Sequence, residues 1–357
     1  MSTPHRRWGL WVLVLLLVPG AMWASGVRPN ELPGNATTSP SWDPGRLLDD
    51  DYYREIDTWL ADRTPSQDAG LWARYQLDYR LLGDASNQAV AVGDDGWLFS
   101  RSFTDVSCET LDAIVAPRVP DGAENAFTYL VPLTKAYWLD DLLEPHDRPP
   151  ACSNAARERL RATLRDDPQG FDVNAAIDDD PLGAFYPRDP HWGPQGRVRV
   201  AEALIERFSP GLWEPDAVVS QPEEVVQGMT RFLGSNDIDT IMGTAIERDV
   251  ELTIEKQTFG LGLLIWQRST VADGAVIPGT TYMFGDSQGA SIVPYIDQYF
   301  EELIFVGWLR AQVAPLPMDN LPAPDRVIVE AIDQWADEVF TTPAIKDVTD
   351  RLPSGQS

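Results

Sequence analysis

The stretch Tyr282-Met-Phe-Gly-Asp-Ser-Gln-Gly-Ala290 decides how this chain is read. Tyr282, Met283 and Phe284 form a short apolar run, the pattern of a buried strand. Gly285, Asp286 and Ser287 then supply turn chemistry. Ile292, Tyr295, Ile296 and Tyr299 follow at helical spacing. The segment predicts a strand, a tight turn and a helix, with Ser287 at the mouth of a sheet. The first N–H groups of a helix lack intrahelical partners, so they can hold a developing oxyanion. Taken alone, the same residues also fit an ordinary helix start, with Ser287 or Asp286 as a cap.

A nucleophilic serine needs a base, and the base needs a carboxylate to fix its tautomer. The sequence has three histidines. His5 lies at the extreme N-terminus, and His146 sits between Pro145 and Asp147 in a proline-rich loop. Only His191, in Asp189-Pro190-His191-Trp192, has a carboxylate and an aromatic wall so close. Pro190 stiffens the link between Asp189 and His191. Gly193 and Pro194 place the pair on a loop ahead of a helix bearing Val198, Ala201, Leu204, Ile205 and Phe208 on its apolar face. Asp189 and His191 alone would fit a hydrogen bond that orders a loop. With Ser287 they become the candidate triad of a hydrolase or acyltransferase. Asp286 is a second carboxylate near the serine, read as support for the turn.

Elsewhere the pattern alternates. Leu48 to Leu60 and Ala69 to Leu82 predict amphipathic helices. Gly93-Asp-Asp-Gly96 between two apolar runs predicts a hairpin. Strands are expected over 126–132, 171–177, 250–259, 261–266, 303–306 and 326–329. Helices are expected over 134–143, after a cap at Ser153, and over 331–339. Strands alternating with helices late in the chain argue for an α/β fold with a parallel sheet covered on both faces.

The N-terminus reads as an export signal. Arg6 and Arg7 precede an apolar run from Trp8 to Val18, and small residues follow through Gly26. The span from Trp8 to Ala24 is slightly shorter than the roughly 20 residues a membrane helix needs, so residues 8–24 are read as a cleaved signal or an uncleaved anchor. The expected organisation is a signal over 1–26, a linker over 27–42, a catalytic domain over 43–345 and a tail over 346–357. Cys108 and Cys152 are the only cysteines, and in an oxidising compartment they are expected to form one disulfide. Neither their spacing nor the scarce histidines suit a metal site, and no cofactor is expected. With 55 acidic residues against 28 basic ones, the formal net charge is −27. Such a surface repels nucleic acid and disfavours a strongly anionic polymer.

At this point the residues resemble a family. Gly285-Asp286-Ser287 looks like the serine block of SGNH hydrolases, but the block carrying the base precedes it, a circularly permuted order. That order resembles the exported polysaccharide O-acetyltransferases of the alginate type. The likeness extends to Val92-Gly-Asp-Asp-Gly-Trp-Leu-Phe99, Val131-Pro-Leu-Thr-Lys135, Asp189-Pro-His-Trp-Gly-Pro-Gln-Gly196 and Val327-Ile-Val-Glu-Ala-Ile-Asp-Gln-Trp335. It implies an SGNH-hydrolase-like three-layer α/β/α fold with a mostly parallel central sheet. It implies acetyl transfer to a polysaccharide hydroxyl through an acetyl-serine, with a membrane-bound O-acyltransferase delivering the acetyl group. On that reading Ser287, His191 and Asp189 are catalytic. The N–H of Ser287, with that of Gln288 or Gly307, would hold the oxyanion. Trp192, Trp308 and Arg310 could line the sugar site, or serve packing and, for Arg310, a surface charge. A carbohydrate acetylesterase of the same fold and a non-catalytic partner in a polysaccharide-modification complex are the alternatives.

Overall fold

The computed structural model describes Leu77, Tyr79 and Leu81 and residues 89–114, 123, 126–233, 235, 237–259, 263–307 and 322–352. The expected signal, linker and first helix lie outside the described residues, as does all but three residues of the second.

In chain order the strands are β1 (Val90–Val92), β2 (Leu98–Ser100), β3 (Phe127–Leu130), β4 (Gly170–Phe171), β5 (Val218–Val226), β6 (Ile238–Ile246), β7 (Leu252–Phe259), β8 (Leu263–Val271), β9 (Ile277–Gly285), β10 (Phe300–Gly307) and β11 (Arg326–Glu330). The α-helices are α1 (Arg101–Thr104), α2 (Cys108–Asp112), α3 (Lys135–Trp138), α4 (Ala151–Asp166), α5 (Pro181–Ala184), α6 (Pro194–Phe208), α7 (Ser287–Ile296), α8 (Ala336–Phe340) and α9 (Pro343–Thr349). Two compact units divide the chain. The smaller holds residues up to Val92 and Val226–Ile238, and the larger holds the rest. In the smaller, the 3-10 turn Gly228–Leu233 buries Met229, Thr230 and Leu233.

The larger unit is α/β. Its seven-stranded sheet has the order β4-β3-β11-β9-β10-β8-β7. The first five strands run parallel, and β8 and β7 are added antiparallel. Parallel strands buried on both faces read as continuous apolar runs, and β9, β10 and β11 do. Tyr282, Phe284, Ile304, Val306, Val327 and Val329 share one core cluster with Leu160 and Leu164 of α4, Val339 of α8 and Val348 of α9. The alternate residue Met283 lies on the other face, close to Gly289 of α7. Flanking helices thus cover the sheet as an α/β/α arrangement.

Several expectations shift. Residues 171–177 do not form a strand. After two paired residues the chain turns into a 3-10 helix over Val173–Ile177. The reason is Asn174, whose Oδ1 accepts from Leu133 N–H at 2.8 Å and whose Nδ2 donates to Val131 O at 2.9 Å. One side chain thereby satisfies the backbone groups that another strand would pair. Ser153 is not the cap of α4, which starts at Ala151; its hydroxyl donates to Val106 O at 2.8 Å. The helix expected over 134–143 is α3 followed by a 3-10 turn, Asp140–Leu142. The last helices start later than expected and continue past residue 345, with Val348 and Leu352 buried. The boundary drawn there falls inside α9. Cys108 and Cys152 are disulfide-bonded, joining α2 to the first turn of α4 beside Val106, Leu111 and Ala156.

Candidate active site

Ser287 stands at the carboxyl end of β9, a central strand, and opens α7. In open α/β sheets, ligands bind outside the carboxyl ends of the strands. Asp286 is the N-cap. Its Oδ1 accepts the Gln288 N–H at 2.7 Å and its Oδ2 accepts the Ile332 N–H at 2.9 Å. Asp286 therefore ties the serine turn to the chain after β11 and makes no bond to His191. Burial raises the Asp286 carboxyl above its ordinary range, and these N–H donors and the charge of His191 pull against that.

The second half comes from the loop before α6. Phe185 and Trp192 form an antiparallel bridge that closes the loop at its base, and Gly193 N–H donates to Ala184 O at 2.8 Å. Gly193 is the N-cap and Pro194 stands at N1, so the helix starts immediately beyond. Gly196 permits the close packing: a Cβ there would lie 2.2 Å from Ala184 O. Within the loop, Asp189 Oδ1 accepts both the His191 N–H at 3.0 Å and His191 Nδ1–H at 2.6 Å. That leaves His191 Nε2 as the acceptor nitrogen, 2.8 Å from Ser287 Oγ. Burial alone would raise Asp189, but the hydrogen bonds and charge of His191, with the charge of Lys135, bring it down to about 2. Asp189 is the ionised carboxylate of the group.

Lys135 fixes this loop from below. Its Nζ donates to the carbonyls of Tyr186 (3.0 Å), Pro187 (3.2 Å) and Asp189 (2.9 Å). The rings of Trp97 and Phe99 flank it, with centroids 5.3 and 5.1 Å away. Burial pushes the ammonium down to about 7, against the attraction of Asp189. Three carbonyl acceptors nevertheless require three N–H donors, which only the charged form has. On the outer side, Arg188 pairs with Asp239 of β6 at 2.6 Å.

The structure thus brings Ser287, His191 and Asp189 into one hydrogen-bonded line. The other expected site residues fare differently. The backbone N–H of Gln288 is occupied by Asp286 and is not a spare oxyanion donor; the Ser287 N–H, at N1, has no intrahelical acceptor. Gly307 ends β10 in register with Gly285, beside the turn. Trp192 is 1% exposed, so it forms a wall of the core and offers no open face for a sugar to stack on. Trp308 and Arg310 lie outside the described residues. Sequence reasoning quoted Lys135 and Glu330 inside longer motifs without giving either a role. Their signal was a charge within or closing an apolar run next to a candidate site.

The geometry defines a class before any likeness is considered. It is an α/β fold with a mostly parallel central sheet whose serine, histidine and carboxylate meet at the carboxyl end of a central strand. No family model matches the sequence, and no curated protein matches it. Solved structures do. PatB1 from Bacillus cereus, carrying a sulfonyl adduct, is similar with a TM-score of 0.50 and 12% identity, over 71% of this chain and 99% of that one. A DHHW family protein from Eubacterium siraeum gives 0.48 and 16%, over 74% and 96%. The O-acetyltransferase domain of AlgJ from Pseudomonas putida gives 0.45 and 15%, over 74% and 99%. At 12% identity, the likeness to PatB1 is one of fold.

Proposed function

We propose that this protein is an exported O-acetyltransferase that moves an acetyl group onto hydroxyls of a cell-surface or secreted polysaccharide. Ser287 Oγ attacks the carbonyl carbon of a donor acetyl ester while His191 Nε2 takes its proton. The tetrahedral intermediate collapses, the bond to the donor oxygen breaks, and that oxygen leaves with the proton held by His191. A sugar hydroxyl then gives its proton to His191 and attacks the acetyl-serine, and Ser287 departs reprotonated. Asp189 holds His191 in the tautomer that accepts at Nε2 and stabilises the imidazolium. The N–H of Ser287 faces no helical partner and is the first oxyanion donor; Gly307 is the neighbouring candidate.

The observation that supports this reading is the unbroken line Asp189–His191–Ser287, with contacts of 2.6 and 2.8 Å. The export signal and the resemblance to alginate-type acetyltransferases point to a membrane-bound O-acyltransferase as the donor's source, with residues 8–24 either removed or retained as an anchor. Among the described residues no helix is long and apolar enough to cross a membrane. The net charge of −27 favours a neutral or weakly charged acceptor.

A chromogenic acetyl ester, offered with and without neutral oligosaccharides, tests the reading. Acetylated sugar should form, and Ser287→Ala and His191→Ala should abolish both ester cleavage and transfer. Release of acetate alone, whatever acceptor is present, would make the protein an acetylesterase. Turnover that survives either substitution would remove the triad.

A further inference from the structure

We propose that Glu330 is a positioning residue whose buried carboxyl, through its bond to the Asp286 N–H, fixes the turn carrying Ser287. The inference rests on reading Ser287 as the nucleophile. Glu330 closes β11 after the apolar run Val327-Ile-Val329 and is fully buried. On β3 its register partner is Leu130, which carries no charge. Its Oε2 accepts the Asp286 N–H at 3.0 Å, and the Gly289 N–H also acts on the carboxyl. The approach is close enough to demand glycine on both sides of the serine. A Cβ on Gly289 would lie 2.3 Å from Oε2, and one on Gly285 would lie 2.8 Å from it.

The buried carboxyl of Glu330 thus stands against the buried residue Asp286, and its Oε1 has no hydrogen-bond partner. Two buried carboxyl groups in contact cannot both ionise without a cation between them. Asp286 accepts N–H groups on both oxygens, from Gln288 and Ile332. Glu330 is raised well above the ordinary glutamate range by burial and by the charge of Asp286. The proton therefore belongs on Glu330, and the negative charge on Asp286. These are the titratable groups that act on Glu330: Asp286 directly, and His191 through Asp286.

The pair has a consequence for the site. It engages the N–H groups of Asp286, Gln288 and Gly289. None of these bonds uses the Ser287 N–H. The first turn of α7 is thus tied to the end of β11 and the chain beyond it, while the Ser287 N–H is left out of the network. Ionising Glu330 would set two carboxylates against each other directly behind the nucleophile and release the turn.

The test compares Glu330→Gln and Glu330→Ala with wild type in the full chain. An amide is neutral and its oxygen can accept the Asp286 N–H, so Glu330→Gln should rescue what Glu330→Ala loses. Acetyl-ester turnover and the rate at which phenylmethylsulfonyl fluoride labels Ser287, followed by intact mass, should fall at least tenfold in Glu330→Ala. The fall should lie in kcat with little change in KM, and thermal unfolding should stay cooperative. Wild type should lose activity at alkaline pH as Glu330 ionises, and Glu330→Gln should lack that limb. Infrared spectra at neutral pH should show a buried protonated carboxyl that Glu330→Gln removes. Equal rates for Glu330→Ala and wild type, a Glu330→Gln as impaired as Glu330→Ala, or no protonated carboxyl would each overturn the proposal. A wild type that shows the carboxyl band but neither cleaves ester nor labels Ser287 would refute the acyl-transfer reading, and the positioning role with it, while the neutral Glu330 would stand.

Discussion

Asp189→Asn is the sharpest perturbation of the proposed chemistry. It changes one atom of a group whose side chain is only 13% exposed, next to a histidine 30% exposed. Two magnitudes bracket the effect. The fall of Asp189 from 3.8 to about 2 measures how strongly its surroundings prefer the carboxylate. At 1.36 kcal/mol per pKa step this is about 2–3 kcal/mol, or roughly 30- to 150-fold. That is the floor, because it counts only the resting site. The ceiling comes from the tautomer. An asparagine that donates to Nδ1 forces the proton onto Nε2, where it can no longer accept from Ser287, and such a change costs about 10⁴ in kcat in a Ser–His–Asp array. The expected loss therefore lies between roughly 30-fold and 10⁴-fold, in kcat, measured with a chromogenic acetyl ester. Acid unfolding supplies a second readout. A carboxyl held below its unfolded value contributes stability above about pH 4 and loses it as the pH falls towards 2. Asp189→Asn should lack that acid-dependent component. A folded variant whose kcat falls less than tenfold would refute the assignment of Asp189 as the partner of His191.

Three further outcomes follow from the same structure. Lys135→Met removes one donor from each of three carbonyls, of which that of Pro187 keeps the Leu98 N–H, at about 1–3 kcal/mol for each buried group left short before the relief of not burying a charge; urea unfolding should show a loss of about 2–3 kcal/mol, and no measurable change would contradict the clamp. Asp297 is raised from 3.8 to about 6, chiefly by burial and against its bond to Gln267, so its contribution to stability is present below about pH 4 and lost as pH rises to 6. Asp297→Asn should therefore stabilise the fold at pH 7 by about 2–3 kcal/mol and flatten its pH dependence between 4 and 6, as thermal melts across that range would reveal. Opening the Cys108–Cys152 bond, which spans a sequence separation of 44, should cost about 4 kcal/mol by chain entropy; denaturant midpoints that do not move on reduction would argue that the reduced chain keeps the α2–α4 contact in its unfolded state.

The parts of the fold legible from sequence were those where one local rule sufficed. The run Tyr282-Met-Phe284 followed by Gly285 and Asp286 could hardly be other than a strand, a turn and a capped helix, although the strand begins earlier, at Ile277. Asp189-Pro190-His191 was equally readable, because Pro190 and the Asx-type bond to His191 N–H are local. What escaped depended on partners far along the chain. Residues 171–177 looked like a strand because nothing local says that Asn174 will reach Val131 and Leu133. Lys135 lies 51 to 54 residues from the carbonyls it holds, and Glu330 lies 44 residues from the turn it supports. Trp192 stayed open between sugar wall and packing for the same reason. A tryptophan beside a base is equally consistent with a stacking platform and a core wall, and only tertiary packing chooses.

The Asn174 bridge also bears on how this protein behaves in concentrated solution. A sheet margin with free backbone groups invites a strand from a neighbouring molecule. On the β4 side that invitation is withdrawn: pairing ends after two residues, and the groups of Val131 and Leu133 are consumed by an amide of the same chain. On the opposite margin β7 carries exposed Glu255 and Lys256, charges that a recruited strand would have to desolvate. Replacing Asn174 with an aliphatic residue would do more than remove two hydrogen bonds. It would uncover a short β-template on a molecule otherwise kept apart from its copies by a shared negative charge, and salt that screens this charge would be expected to expose the defect first.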